Sequence, residues 1–198
     1  MSKGFRTLLK EIGDCRLCED HLPLGPRPVL QAHPQASILI AGQAPGRKVH
    51  ATGIPFNDPS GVRLRDWMEI DEKTFYTPSK VAILPMGFCF PGTGTSGDLP
   101  PRPECVEAWR EMLLTRLPGI RLTLLIGQYA QKYHLGGKQK KNLTETVKTW
   151  REYWQDGLIP LPHPSPRNNI WLRKNEWFEK EVLPTLRSRV QVVLRGDR

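Results

Sequence analysis

The apolar positions of the chain gather into four short continuous runs. They are ASILIAG (36–42), KVAILPM (80–86), IRLTLLIG (120–127) and GLIPLP (157–162). None alternates polar and apolar residues, as a half-exposed strand would. Short runs of this kind, bounded by glycine or proline, predict strands buried on both faces. Between and around them the apolar spacing is helical. FRTLLKEI (5–12), SGVRLRDWMEI (60–70, with Ser60 as cap), PECVEAWREMLLTRL (103–117, opened by Pro103) and QYAQKYHLG (128–136) predict helices. So do NLTETVKTWREYW (142–154) and WLRKNEWFEKEVLPTLRSRV (171–190). Strands alternating with helices predict an α/β three-layer sandwich around a central, mainly parallel four-stranded sheet. The 198 residues carry no internal repeat or linker, so a single domain over 1–198 is expected.

Open α/β sheets bind ligands outside the carboxyl ends of their strands. GQAPG (42–46) follows the first strand and HPSPRNN (163–169) follows the fourth. A parallel sheet places both on one edge. The segment 88–105 between them reads as a long loop.

Charge narrows the partner. Lys and Arg number 29 against 20 Asp and Glu, a formal charge of +9, which favours a polyanion and nucleic acid first. No apolar run approaches the ~20 residues of a membrane span. The N-terminal MSKGFRTLLKEIGDC has no long apolar stretch, so a cytoplasmic protein with reduced thiols is expected.

Four cysteines carry the next signal. Cys15 and Cys18 are two residues apart in spacing, and Cys89 and Cys105 have 15 residues between them. Four thiolates can hold zinc or an iron–sulfur cluster. Zinc ribbons show two close pairs and this chain has one, which tips the reading towards a cluster. Four unrelated buried cysteines are the plain alternative.

His163 is fixed between Pro162 and Pro164 at the end of a strand, where a side chain is held in one place at little entropic cost; a histidine that merely caps the strand end is the plain alternative. Gly42 and Gly46 let backbone approach a ligand closely.

These pieces together resemble the family 4 uracil-DNA glycosylases. GQAPG, six residues, GIPF and then a small-residue–glycine pair (42–61) are similar to that family's first motif. HPSPRNN resembles the second motif of the superfamily, a loop that enters the minor groove of DNA. The cysteine arrangement is that of the family's [4Fe–4S] ligands, which implies Cys15, Cys18, Cys89 and Cys105 as the metal-binding set. The resemblance implies a uracil-DNA-glycosylase-like fold and a DNA repair hydrolase. It would flip a deaminated base out of DNA, single- or double-stranded, and would act as a monomer. It further implies catalytic roles for His163 and Gln43, with His163 donating to O2 of the leaving base. Gly42, Ala44, Pro45, Gly46 and Phe56 would line the base site, with Phe56 stacking on the base. Ser165, Arg167 and Asn168, with Asn169, would meet the DNA. Two positions depart from the family. Gln43 stands where it has glutamate, and Pro85 stands where it has a pyrimidine-reading asparagine. An amide orients water but takes no proton, so His50 and Asp58 become candidates for that task. Activity is expected to be lowered, narrowed or redirected, with a non-cutting DNA-binding module as the alternative. An iron–sulfur redox protein is a third reading, but the clustered cysteine run of a ferredoxin is missing. Arg102, Lys138, Lys140 and Lys141 are expected to add phosphate contacts.

Overall fold

The computed structural model describes residues 3–95 and 97–196. Among the described residues six strands form: β1 (Ile38–Ala41), β2 (Val81–Ile83), β3 (Thr93–Gly94), β4 (Gly97–Asp98), β5 (Leu122–Ile126) and β6 (Leu158–Leu161). The central sheet has the order β2-β1-β5-β6 and every pairing in it is parallel. All four apolar runs of the sequence supply one strand each. β3 and β4 make a small antiparallel hairpin inside the segment expected to be loop.

The strands read as unbroken apolar runs because both faces are covered. Ile38, Ile40, Val81, Ile83, Leu122, Leu124 and Ile159 face one layer, packed on Leu64, Trp67, Phe178, Leu186 and Val190. Leu39, Ala82 and Leu84 face the other, against Phe5, Leu8 and Ile12 of the helix Lys3–Gly13 and against Leu113 and Leu117. This is the three-layer arrangement expected from the alternation of elements.

Several boundaries move, each for a local reason. Helix Pro59–Met68 is capped by Asp58, not Ser60: Asp58 Oδ1 accepts from the Gly61 amide at 2.9 Å, while Ser60 is buried. Residues after GQAPG coil at once into the helix Arg47–Thr52. The helix opened by Pro103 passes through a π turn at Val106–Arg110 before continuing as Glu111–Leu114. The 142–154 segment divides into Leu143–Lys148, capped by Asn142, and Arg151–Trp154. The closing helix is likewise two pieces, Asn169–Lys174 and Leu183–Arg195, with a π turn at Phe178–Val182 between them. Pro184 has no amide hydrogen to give the preceding turn, which is where the regular ladder resumes.

Among the described residues no helix is long and apolar enough to cross a membrane. The β1–β2 ladder also runs past the formal strand ends. Leu84 N–H donates to Ile40 O at 2.9 Å, Met86 N–H to Gly42 O at 2.8 Å and Gly87 N–H to Gln43 O at 3.0 Å. The first loop is therefore anchored to the sheet as firmly as a strand.

Candidate active site

A cleft partly open to solvent lies at the carboxyl edge of the sheet. Gly42, Gln43, Ala44, Pro45 and Gly46 line one side, and Phe56, Asp58, Pro85, Asp98 and His163 complete it. Residues expected from the two distant loops thus meet in one pocket, because β1 and β6 run parallel.

His163 is held from three directions. The Ser165 amide donates to its Nδ1 at 3.2 Å. Asn168 Nδ2 donates to the His163 carbonyl at 2.7 Å, and Arg63 Nη1 donates to the Ser165 carbonyl at 3.1 Å. Burial pushes the imidazole pKa below its ordinary value, with Asp58 and then Asp98 opposing the shift. A neutral ring whose Nδ1 accepts must carry its proton on Nε2. His163 is therefore a fixed donor at neutral pH.

Phe56 sits in a conformation that needs enforcement. Its φ is +55°, in the left-handed region that side chains other than glycine seldom occupy. Gly61 makes it possible: a Cβ there would lie 1.8 Å from the Phe56 carbonyl oxygen. The ring packs edge-on to Phe75 at 6.2 Å and lies just above Gly42, where a Cβ would be 3.7 Å from its Cζ. The sequence motif contains this glycine, but its reason is the crowding by a backbone oxygen.

Gln43 is engaged by its amide nitrogen. Nε2 donates to Leu99 O at 2.9 Å and to Asp98 O at 3.3 Å. It joins the first loop to the β3–β4 hairpin. His50 lies away from the cleft wall, its ring 6.2 Å from Phe90, with Nδ1 buried and unpartnered among the described residues. Asp58 does line the cleft, but one of its oxygens caps a helix. Asp98, in the β3–β4 hairpin, lines it as well.

The second loop differs in part from the expectation of a projecting tip. Arg167 and Asn169 are exposed, whereas Asn168 turns inward to brace His163. Ser165 Oγ accepts from the Arg167 amide, so it caps the turn Pro166–Asn168. The Arg167 guanidinium leans on the hairpin: a Cβ at Gly97 would lie 3.1 Å from its Nη1. The expected phosphate contacts are mostly paired within the chain. Arg102 bonds Glu104, Lys138 bonds Asp156 at 3.1 Å and Lys140 bonds Glu152 at 2.6 Å. The groove beside the cleft gathers Lys48, Arg63 and Arg65, with Asp58 and Asp66 among them. Two helices, Arg47–Thr52 and Pro59–Met68, and the loop between them assemble it.

The four cysteines come from three segments and carry no disulfide. Cys18 and Cys89 pack together with Leu22, and Trp109 Nε1 donates to Cys15 Sγ at 3.3 Å. Burial pushes the Cys89 thiol up to about 12 and Cys105 up to about 11, and the neighbouring thiols add to both shifts. Backbone amides of Arg27 and Phe88 point at these two sulfurs. Among the described residues, no three His, Cys, Asp or Glu side chains converge as a single-ion site requires.

With this geometry in view, the comparison with known families is direct: a family model described as the uracil DNA glycosylase superfamily matches residues 30–187.

Proposed function

Because the chain belongs to the uracil DNA glycosylase superfamily, we propose that it hydrolyses the N-glycosidic bond of uracil, or of another deaminated base, in DNA. The observation that carries the reading is the meeting of Phe56 and a proton-bearing His163 Nε2 in one cleft. A base inside a helix is out of reach, so the nucleotide must first be drawn out of the stack. In the cleft, the face of the base would lie on Phe56. Such stacking contributes about 1–3 kcal/mol and is indifferent to which base it holds.

Cleavage sends an electron pair from the breaking C1′–N bond into the base. Negative charge grows on a ring carbonyl while the sugar gains oxocarbenium character. A preorganised N–H aimed at that oxygen stabilises the transition state more than the ground state, and losing one such donor typically costs about 10²–10³ in rate. His163 is placed for that work, and the proline-stiffened turn with its three hydrogen bonds removes the cost of arranging it. Arg167 and Asn169 would face the DNA, with Lys48, Arg63 and Arg65 beside the cleft attracting the phosphate backbone.

The cysteines suit a [4Fe–4S] cluster better than a lone zinc ion. The thiols gather from three segments, with Cys18 packed on Cys89 and the other three all lying near enough to Cys89 to raise its pKa. Cys15, Cys18, Cys89 and Cys105 would hold it. Bound there, the cluster supplies a cross-link between the N-terminal segment and the loop after β2.

The test is base release from oligonucleotides containing uracil, hypoxanthine or xanthine, with His163→Ala as the companion. Release by the wild type, lowered at least 100-fold in the variant with DNA binding retained, supports the reading. Binding without release of any base would make the protein a recognition module.

A further inference from the structure

Gln43 and Asp98 form an arrangement that the reaction above leaves unused. The amide of Gln43 is oriented by the carbonyls of Asp98 and Leu99, so its two hydrogens point at the hairpin. This fixes the hairpin against the first loop. It also brings the Asp98 carboxylate to the cleft, where Oδ2 lies 3.3 Å from the position a Cβ on Gly46 would take. A Cβ there would push the carboxylate back by a few tenths of an ångström. Asp98 is exposed, at the rim of the cleft, and its Oδ1 accepts only a long 3.5 Å bond from Thr93 Oγ1, whereas Asp58 is half-buried and has one oxygen committed to the Gly61 amide at 2.9 Å. The rim is where a carboxylate is needed. A flipped base enters first, so C1′ of its sugar and the water that attacks it stay at the mouth.

We propose that Asp98 holds and deprotonates the attacking water, and that Gln43 is the positioning residue that keeps Asp98 in place. This rests on the glycosylase reading. The C1′–N bond breaks with its electron pair leaving on the base, whose anion His163 stabilises. The water oxygen forms the new bond to C1′, and its proton passes to the Asp98 carboxylate and then to solvent. The base anion takes its proton from solvent, leaving free base and an abasic sugar.

The arrangement has an unusual corollary. Gln43→Glu places a carboxylate at the cleft, which a simple count of bases would expect to speed the reaction. A carboxylate cannot donate to two carbonyls, so the hairpin loses its tie and Asp98 its position. The variant should be slower than wild type by 10-fold or more.

The experiment is single-turnover base release with saturating enzyme, on the wild type and on Asp98→Asn, Asp98→Ala, Asp58→Asn and Gln43→Glu. DNA affinity and thermal unfolding are measured alongside. Asp98→Asn should lose at least 100-fold in rate while keeping DNA affinity and fold. Formate added to Asp98→Ala should restore part of the rate, which a merely structural role would not allow. Gln43→Glu should fall, with formate giving no rescue because Asp98 remains. An active wild type with an equally fast Asp98→Asn overturns the proposal and leaves the glycosylase reading standing. A faster Gln43→Glu, or a rate lost only in Asp58→Asn, overturns it too. A wild type that releases no base overturns both.

Discussion

Gly61→Ala is a small change with a large expected effect. On helix propensity alone it should help, since alanine is favoured over glycine inside a helix by about 1 kcal/mol. The structure reverses the sign. The added Cβ would stand 1.8 Å from the Phe56 carbonyl oxygen, and real Cβ atoms keep at least 3.0 Å from such neighbours, so the oxygen must retreat by about 1.2 Å. That oxygen belongs to a residue held at φ +55°, where the fold already imposes strain. Retreat therefore rotates Phe56 out of its conformation and carries its ring off the face of Gly42. Misplacing a positioning group by about 1 Å costs on the order of 100-fold in rate, and crowding of this kind costs ~1–3 kcal/mol in stability. Single-turnover base release and a urea titration measure the two. Wild-type rate with wild-type stability would refute the argument that Gly61 exists to admit the Phe56 carbonyl.

Three further outcomes follow from the same structure. Cys15→Ser should lose brown colour and stability together, read by visible absorbance and thermal unfolding of anaerobically purified protein; a colourless wild type of normal stability would remove the cluster. Arg167→Ala should weaken action on duplex substrate more than on single strands, and equal losses on both would argue against a wedge at that position. Acid should destabilise the fold through its histidines. Burial lowers the pKa of His163, and burial with the Arg110 guanidinium lowers that of His134 to about 3. The unfolded chain then binds protons below pH 6.5 that the folded chain refuses, so stability rises with pH in that window and falls as pH drops. Each histidine contributes a slope of up to about 1.4 kcal/mol per pH unit, which for His134 persists towards pH 3. Urea midpoints at pH 6.5 and 5 measure this, and His134→Gln should reduce the slope; an unchanged slope would show that His134 titrates normally.

The sheet was legible in the sequence because a parallel strand buried on both faces leaves a run such as LTLLI, which little else in a small domain produces. The position of the cleft was legible for a related reason: parallel strands send GQAPG and HPSPRNN to the same edge. Asp98 was hidden because the hairpin around it has only two residues per strand, too few for any periodicity to register. Asn168 was misjudged as projecting because nothing in PRNN distinguishes an amide that braces the chain from one that faces solvent. Arg110 escaped notice for a different reason. Helical spacing puts it on one face with Val106, Leu113 and Leu117, yet an arginine is normally solvent-facing, and the structure buries it fully. There its guanidinium donates to Leu84 O at 2.9 Å and Pro85 O at 3.0 Å and meets His134 Nε2 at 2.7 Å.

The bracing of the second loop divides it into a fixed base and a tip that lies outside the brace. Ser165 and Asn168 spend their polar groups on holding His163, and Arg63 reaches across from another helix to hold Ser165. The Arg167 side chain takes no part in that brace; only its backbone amide does. The two jobs of the loop are thus separable within five residues. Substitutions at 167 or 169 can change how the protein meets distorted or unpaired DNA while the imidazole stays where it is. Those at 165 or 168 would disturb the chemistry whatever DNA is bound. Inheritance or engineering could retune the choice of lesion context at the tip without rebuilding the catalytic turn.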